Sequence, residues 1–111
     1  MRVEEQKMGA VLVLKPTGTL GGDEATEFRA QLHATALQTM GRYVLDASGL
    51  AFVDSTGLEV LLEASEQLAR GGKILKICGA NATLCEVLDL TGLTESFERY
   101  DELNSAVRSF L

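Results

Sequence analysis

Phe52-Val53-Asp54-Ser55-Thr56-Gly57-Leu58 joins an apolar run, Tyr43-Val44-Leu45-Asp46, to a segment with helical spacing. Asp54, Ser55 and Thr56 are all good helix N-caps, because a short side-chain oxygen accepts from the unpaired N–H groups of a first turn. Leu58, Leu61, Leu62, Ser65, Leu68 and Ala69 then follow i, i+3, i+4, i+7 spacing. That predicts a helix with one buried stripe, ending near Arg70 at the Gly71-Gly72 break. Ser55 therefore stands at the mouth of a helix, where backbone donors and the dipole favour negative charge. A phosphoryl group on Ser55 would be carried there without melting the structure.

Upstream, residues 3–8 form a short polar strand and Gly9 a tight hairpin into Val11-Leu12-Val13-Leu14. Pro16, lacking an N–H, marks the end or edge of that strand. Thr17-Gly18-Thr19-Leu20-Gly21-Gly22-Asp23 is a loop by its glycines. Gly22 or Asp23 caps a helix with Ala25, Phe28, Leu32, Ala36 and Met40 on one face, and Gly41 stops it. Tyr43-Val44-Leu45 is a buried strand, and Ala47-Ser48-Gly49-Leu50 leads into the central stretch.

Downstream, Ile74-Leu75-Lys76-Ile77-Cys78 is the next strand, and Asn81 caps a helix aligning Leu84, Val87, Leu88 and Thr91 up to Gly92. Ser96 to Tyr100 is a last short strand, and Asp101 caps a final helix packing Leu103, Val107 and Phe110. Strand–helix alternation predicts an α/β domain with right-handed crossovers. Its sheet is mixed and mostly parallel, of four to five strands, with the N-terminal hairpin as an antiparallel edge. About four helices begin near residues 24, 56, 82 and 101. The 111 residues suit one such domain.

Composition narrows the function. The formal net charge of −6 disfavours nucleic acid, which requires a basic footprint. No apolar run approaches the roughly 20 residues of a membrane span, and the N-terminus lacks a basic-then-apolar leader, so a cytoplasmic location is expected. Cys78 and Cys85 are too few for a disulfide framework and lack metal-ligand spacing. The single histidine, His33, leaves no pair for a metal and no evident base for a triad around Ser55. Neither a metal nor a cofactor is expected. The glycines of residues 17–22 match neither a dinucleotide fingerprint nor a P-loop, so a turn is the simpler reading. Asp46 and Asp54 flank one connection, and Asp54 is better explained as part of the cap. Ser55 as a hydrolase or acyltransferase nucleophile lacks its Gly-x-Ser-x-Gly elbow, so no enzyme activity is expected.

With the apolar strand before it, Phe52-Val53-Asp54-Ser55-Thr56-Gly57-Leu58 resembles the signature of STAS domains of the bacterial anti-sigma factor antagonist type. Gly71-Gly72 ahead of a strand, Leu84-Cys85-Glu86-Val87-Leu88-Asp89-Leu90-Thr91-Gly92-Leu93, and Thr17-Gly18-Thr19-Leu20 agree with it over essentially the whole chain. The resemblance implies a partner switch. An unphosphorylated antagonist binds an anti-sigma factor that is also a serine kinase, and so releases a sigma factor. The kinase phosphorylates the serine after the motif aspartate, and a phosphatase resets it. Carried over, the acceptor is Ser55, with Asp54 its acidic neighbour and Thr56 the second choice. Gly57 admits a partner's backbone, and Leu58, Gly21 and Asp23 complete the implied contact surface. One departure stands out: the family usually places an aspartate directly after the leucine of the second-strand loop, whereas Leu20 is followed by Gly21-Gly22 and only then Asp23. The alternative is a STAS adaptor that regulates a transporter or signalling complex without being phosphorylated.

Overall fold

The computed structural model describes residues 1–90 and 92–111. Its hub is β2 (Val11–Leu20), which pairs antiparallel with β1 (Arg2–Met8) over Val11–Thr17. On its other side β2 takes two parallel partners in succession. Leu12–Leu14 pair with β3 (Tyr43–Asp46), and Gly18–Leu20 with β4 (Leu50–Val53). Beyond β3 lie β5 (Leu75–Cys78) and β6 (Phe97–Tyr100), both parallel to it. The sheet is thus mixed and mostly parallel with an N-terminal hairpin, with six strands among the described residues. The helices are α1 (Gly22–Thr39), α2 (Ser55–Arg70), α3 (Ala82–Leu90) and α4 (Leu103–Arg108).

The strand does not stop at Pro16, and Thr17–Leu20 are strand rather than loop. Pro16 falls between the stretches that β3 and β4 claim, so its missing N–H leaves no ladder bond unmade. The Leu12 N–H, which points away from β1 to the Arg42 carbonyl at 3.1 Å, sets the same phase for Pro16. β4 was not legible as a strand, because its partner lies some thirty residues upstream.

Side chains alternate between two apolar layers, as expected of strands covered on both faces. Leu14, Tyr43, Leu45, Leu75 and Ile77 pack under α1, α2 and α3 with Phe28, Leu32, Leu61, Leu68 and Leu88. Val11, Val13, Val44 and Cys78 face α4, where Ala106 is fully buried and Leu103, Val107 and Phe110 close the edge. On that thinner face the Lys76 ammonium binds Glu98 at 2.8 Å and lies 4.6 Å from the Phe110 ring centre. Burial drives the Cys78 thiol up to about 12, with the neighbouring Asp46 carboxylate adding to the rise.

Several boundaries shift. The buried stripe of α2 is Gly57, Val60, Leu61, Ala64, Ser65 and Leu68, so Leu58 and Leu62 lie at its margin and Ala69 is exposed. In α1, Ala25, Phe28, Leu32 and Ala36 are buried, but Met40 is 78 % exposed. Met40 lies one step past the last helical residue in a left-handed conformation (φ 55°, ψ 37°), which turns it out of the helical projection. Gly41 follows, also at positive φ. Asp101 does not cap α4; Glu102 occupies that position without a side-chain bond. Asn81 does cap α3, accepting from the Leu84 N–H at 2.8 Å. Thr91, placed on the inner line of α3 by its spacing, lies outside the described residues.

Candidate functional site

Asp54, not Ser55, caps α2. Its Oδ1 accepts from the Gly57 N–H at 2.8 Å, and its own carbonyl accepts from Leu58 at 2.9 Å. The other carboxylate oxygen, Oδ2, accepts from the Gly22 N–H at 3.2 Å, in the first turn of α1. One carboxylate therefore holds two helix N-termini, offsetting the partial positive charge of both. Neither Gly22 nor Asp23 caps α1: Gly21 occupies the N-cap position without a side chain, and Asp54 takes over that work from another helix. Asp23 is exposed in the first turn, and the neighbouring Glu24 pairs with the Met1 ammonium.

Two glycines make the arrangement possible. A Cβ at Gly21 would overlap the Asp54 carboxylate, so the departure at this position has a local reason: the Asp54 cap passes over it. A Cβ at Gly57 would overlap the Leu20 carbonyl and stand 2.8 Å from Val53 Cγ1. Gly57 thus makes a close internal approach, between the start of α2 and the end of β2. The Asp54 N–H to the Leu20 carbonyl, at 3.1 Å, fastens the same junction.

Relieved of capping, Ser55 is exposed at the first position of α2, and its hydroxyl makes no hydrogen bond among the described residues. Thr56 and Leu58 beside it are half-buried, and Gly57 is buried. The N–H groups of Ser55 and Thr56, among the first four of the helix, carry no internal bond among the described residues. Phe52, 55 % exposed on β4, adds an apolar side chain whose exposure the sequence did not disclose. The only signal for it is alternation along a strand that was itself not recognised. Asn81 reaches back to the Leu50 carbonyl at 3.1 Å and so sets the start of α3 beside β4.

Among the described residues no histidine accompanies Ser55, and the Asp54 carboxylate is taken up by the two amides it accepts from. His33 is exposed on α1 and lines a groove with Arg29, Glu66 and Arg70, between α1 and α2, that does not include Ser55. Asp46 lies at the end of β3, where it accepts from the Ser48 N–H at 3.0 Å and forms no pair with Asp54. Among the described residues no three His, Cys, Asp or Glu side chains gather as a metal site would require. No helix there is long and apolar enough to cross a membrane.

A mixed sheet with a leading hairpin, and an exposed serine opening the helix after β4, define the architecture of a STAS domain. The chain belongs to that family: the family model described as "Mlab, STAS domain" matches residues 3–103. Among curated relatives, the anti-sigma F factor antagonist of Paenibacillus polymyxa is 27% identical over 107 residues, covering 95% of this chain and 92% of that one. The fold is shared with the crystal structure of an anti-sigma factor antagonist from Mycobacterium paratuberculosis, at TM-score 0.83 and 21% identity over 97% of this chain and 92% of that one. It is also shared with the Bacillus cell fate determinant SpoIIAA in its phosphorylated form, at TM-score 0.73 and 18% identity over 97% and 99% of the two chains.

Proposed function

We propose that this protein is an anti-sigma factor antagonist of the partner-switching kind, working in the cytoplasm and without enzymatic activity of its own. In its unmodified state it binds an anti-sigma factor that is also a serine kinase, and the sigma factor held by that partner goes free. The kinase moves the γ-phosphoryl group of ATP to the Ser55 oxygen, releasing ADP and the hydroxyl proton, and the modified protein leaves. A phosphatase restores the hydroxyl.

The observation that carries this reading is the division of labour between Asp54 and Ser55. Asp54 caps the helix, so the Ser55 hydroxyl is exposed and spends no bond on the fold. A phosphate there adds about −1.5 to −2 charges and three acceptor oxygens beside the unused first-turn amides. The domain keeps its shape, and the new charge is felt across the interface as repulsion and desolvation. The contact surface is Ser55, Thr56 and Asp23, with Phe52 beside them. Gly21, Asp54, Gly57 and Leu58 support it from beneath. The name of the Paenibacillus relative and the existence of a phosphorylated form of a protein with this fold support the assignment.

The test is mass spectrometry after incubation with the cognate kinase and ATP, followed by binding titrations. Phosphate on Ser55, retained binding by Ser55→Ala and weakened binding by a folded Ser55→Asp are the expected results. Phosphate only elsewhere, or equal affinity of modified and unmodified protein, would overturn the switch and favour the adaptor.

A further inference from the structure

The far end of α1 carries a surface that the Ser55 site does not use. α1 has 18 residues, which at ~1.5 Å each makes it about 27 Å long and sets its last turn about 20 Å from its first. There Leu37 and Met40 project into solvent, 67 % and 78 % exposed. Met40 does so from a left-handed backbone that a β-carbon disfavours, although Gly41 stands directly after it. The left-handed turn closes the helix, with the Gly41 N–H returning to the Ala36 carbonyl at 3.0 Å, and it leaves the Met40 side chain pointing outward.

Around it are bases from separate elements. Lys7, Arg42 and Met40 line one recess between the hairpin turn and the end of α1, and no carboxylate lines it. Lys73 packs against Gly41, within reach of the same patch. Arg29, Lys76 and Arg99 are ion-paired, whereas Lys7, Arg42 and Lys73 form no ion pair among the described residues. In a chain of net charge −6 this is a local inversion of sign. Helix dipoles explain Arg70 at the end of α2, but not Lys7 on β1 or Arg42 before β3.

We propose that this pole docks peripherally on an anionic lipid bilayer, with Leu37 and Met40 entering the headgroup layer and Lys7, Arg42 and Lys73 reaching its phosphates. A specific protein interface needs about 800 Å² per partner around a packed apolar centre, which two projecting aliphatic side chains do not supply. A headgroup layer accepts mobile cations and projecting side chains with no match of shape. Anionic surface potential attracts such bases within a Debye length. The docked molecule would present Ser55 to solution.

Sedimentation with extruded vesicles tests this. The protein is expected to pellet with phosphatidylcholine vesicles containing one-third phosphatidylglycerol and to remain in solution with phosphatidylcholine alone. Lys7→Glu with Arg42→Glu should weaken binding by about tenfold or more, as should Met40→Gly. Met40→Gly should at the same time raise the melting temperature, so its loss of binding cannot come from unfolding. Failure of the unaltered protein to pellet with anionic vesicles, equal binding to both vesicle types, or full binding by these variants would overturn the proposal.

Discussion

The two ends of α1 are built on opposite terms. At the first turn, a carboxylate from another helix holds the amide of Gly22, and neither Gly21 nor Gly57 has room for one methyl group. At the last turn, Met40 adopts a left-handed backbone with its side chain in solvent. The first end is fixed by side-chain contacts from another helix, the second by backbone bonds of its own turn, from Gly41 to Ala36 and from Arg42 to Thr39, in which the Met40 side chain takes no part. Substitutions at the first should therefore be costly and coupled, while those at the second should be mild or even stabilising.

The largest effect is expected at Gly57. In Gly57→Ala the new methyl group meets the Leu20 backbone, which cannot rotate away, so α2 must lift from β2. A loss of about 2–3 kcal/mol in urea unfolding is the expected result. A loss below half a kcal/mol would mean that the junction is looser than its geometry. Next comes Asp54→Ala, which strips the cap from α2 and the bond to α1 together, at a cost of about 2 kcal/mol. Combined with Gly21→Ala the losses should not add, because the methyl group at residue 21 occupies space that the carboxylate has vacated. Strict additivity in that double-mutant cycle would break the coupling described here.

At the other end, Met40→Gly should stabilise the fold by about 0.5–1 kcal/mol, the relief of a left-handed methionine less the flexibility that glycine adds to the unfolded chain. A destabilised variant would show that the Met40 side chain makes contacts worth more than its strain. The smallest effect is expected at Ser55, where removing a hydroxyl with no internal bond should change stability by less than about 0.5 kcal/mol. A loss above 1 kcal/mol would return Ser55 to a capping role.

Local rules disclosed much of this architecture. Helical spacing placed all four helices to within about two residues, and Asn81 was recognised as a cap because the donor it meets lies three residues away. What stayed hidden depends on distant partners. β4 exists through Gly18–Leu20, and the cap of α1 comes from 32 residues downstream. Pro16 misled because its tolerance depends on where two other strands end. Met40 misled because a period-based projection continues past the point where the helix has stopped. At the site, Asp54, Ser55 and Thr56 are all possible caps by residue type, with Asp54 the better explained as part of the cap. The structure distinguishes them through the end of β2: the Leu20 carbonyl holds the Asp54 N–H, and Gly22 gives the Asp54 carboxylate a second amide to hold.

The shared carboxylate also has a consequence for how the domain breathes. Asp54 rests on the first turn of α2 while one of its oxygens serves α1, so fraying of α2 at this point releases both helices at once. The amide protons of Gly22 and Gly57 should then exchange with deuterated solvent through one common opening, at matched protection, although 35 residues separate them.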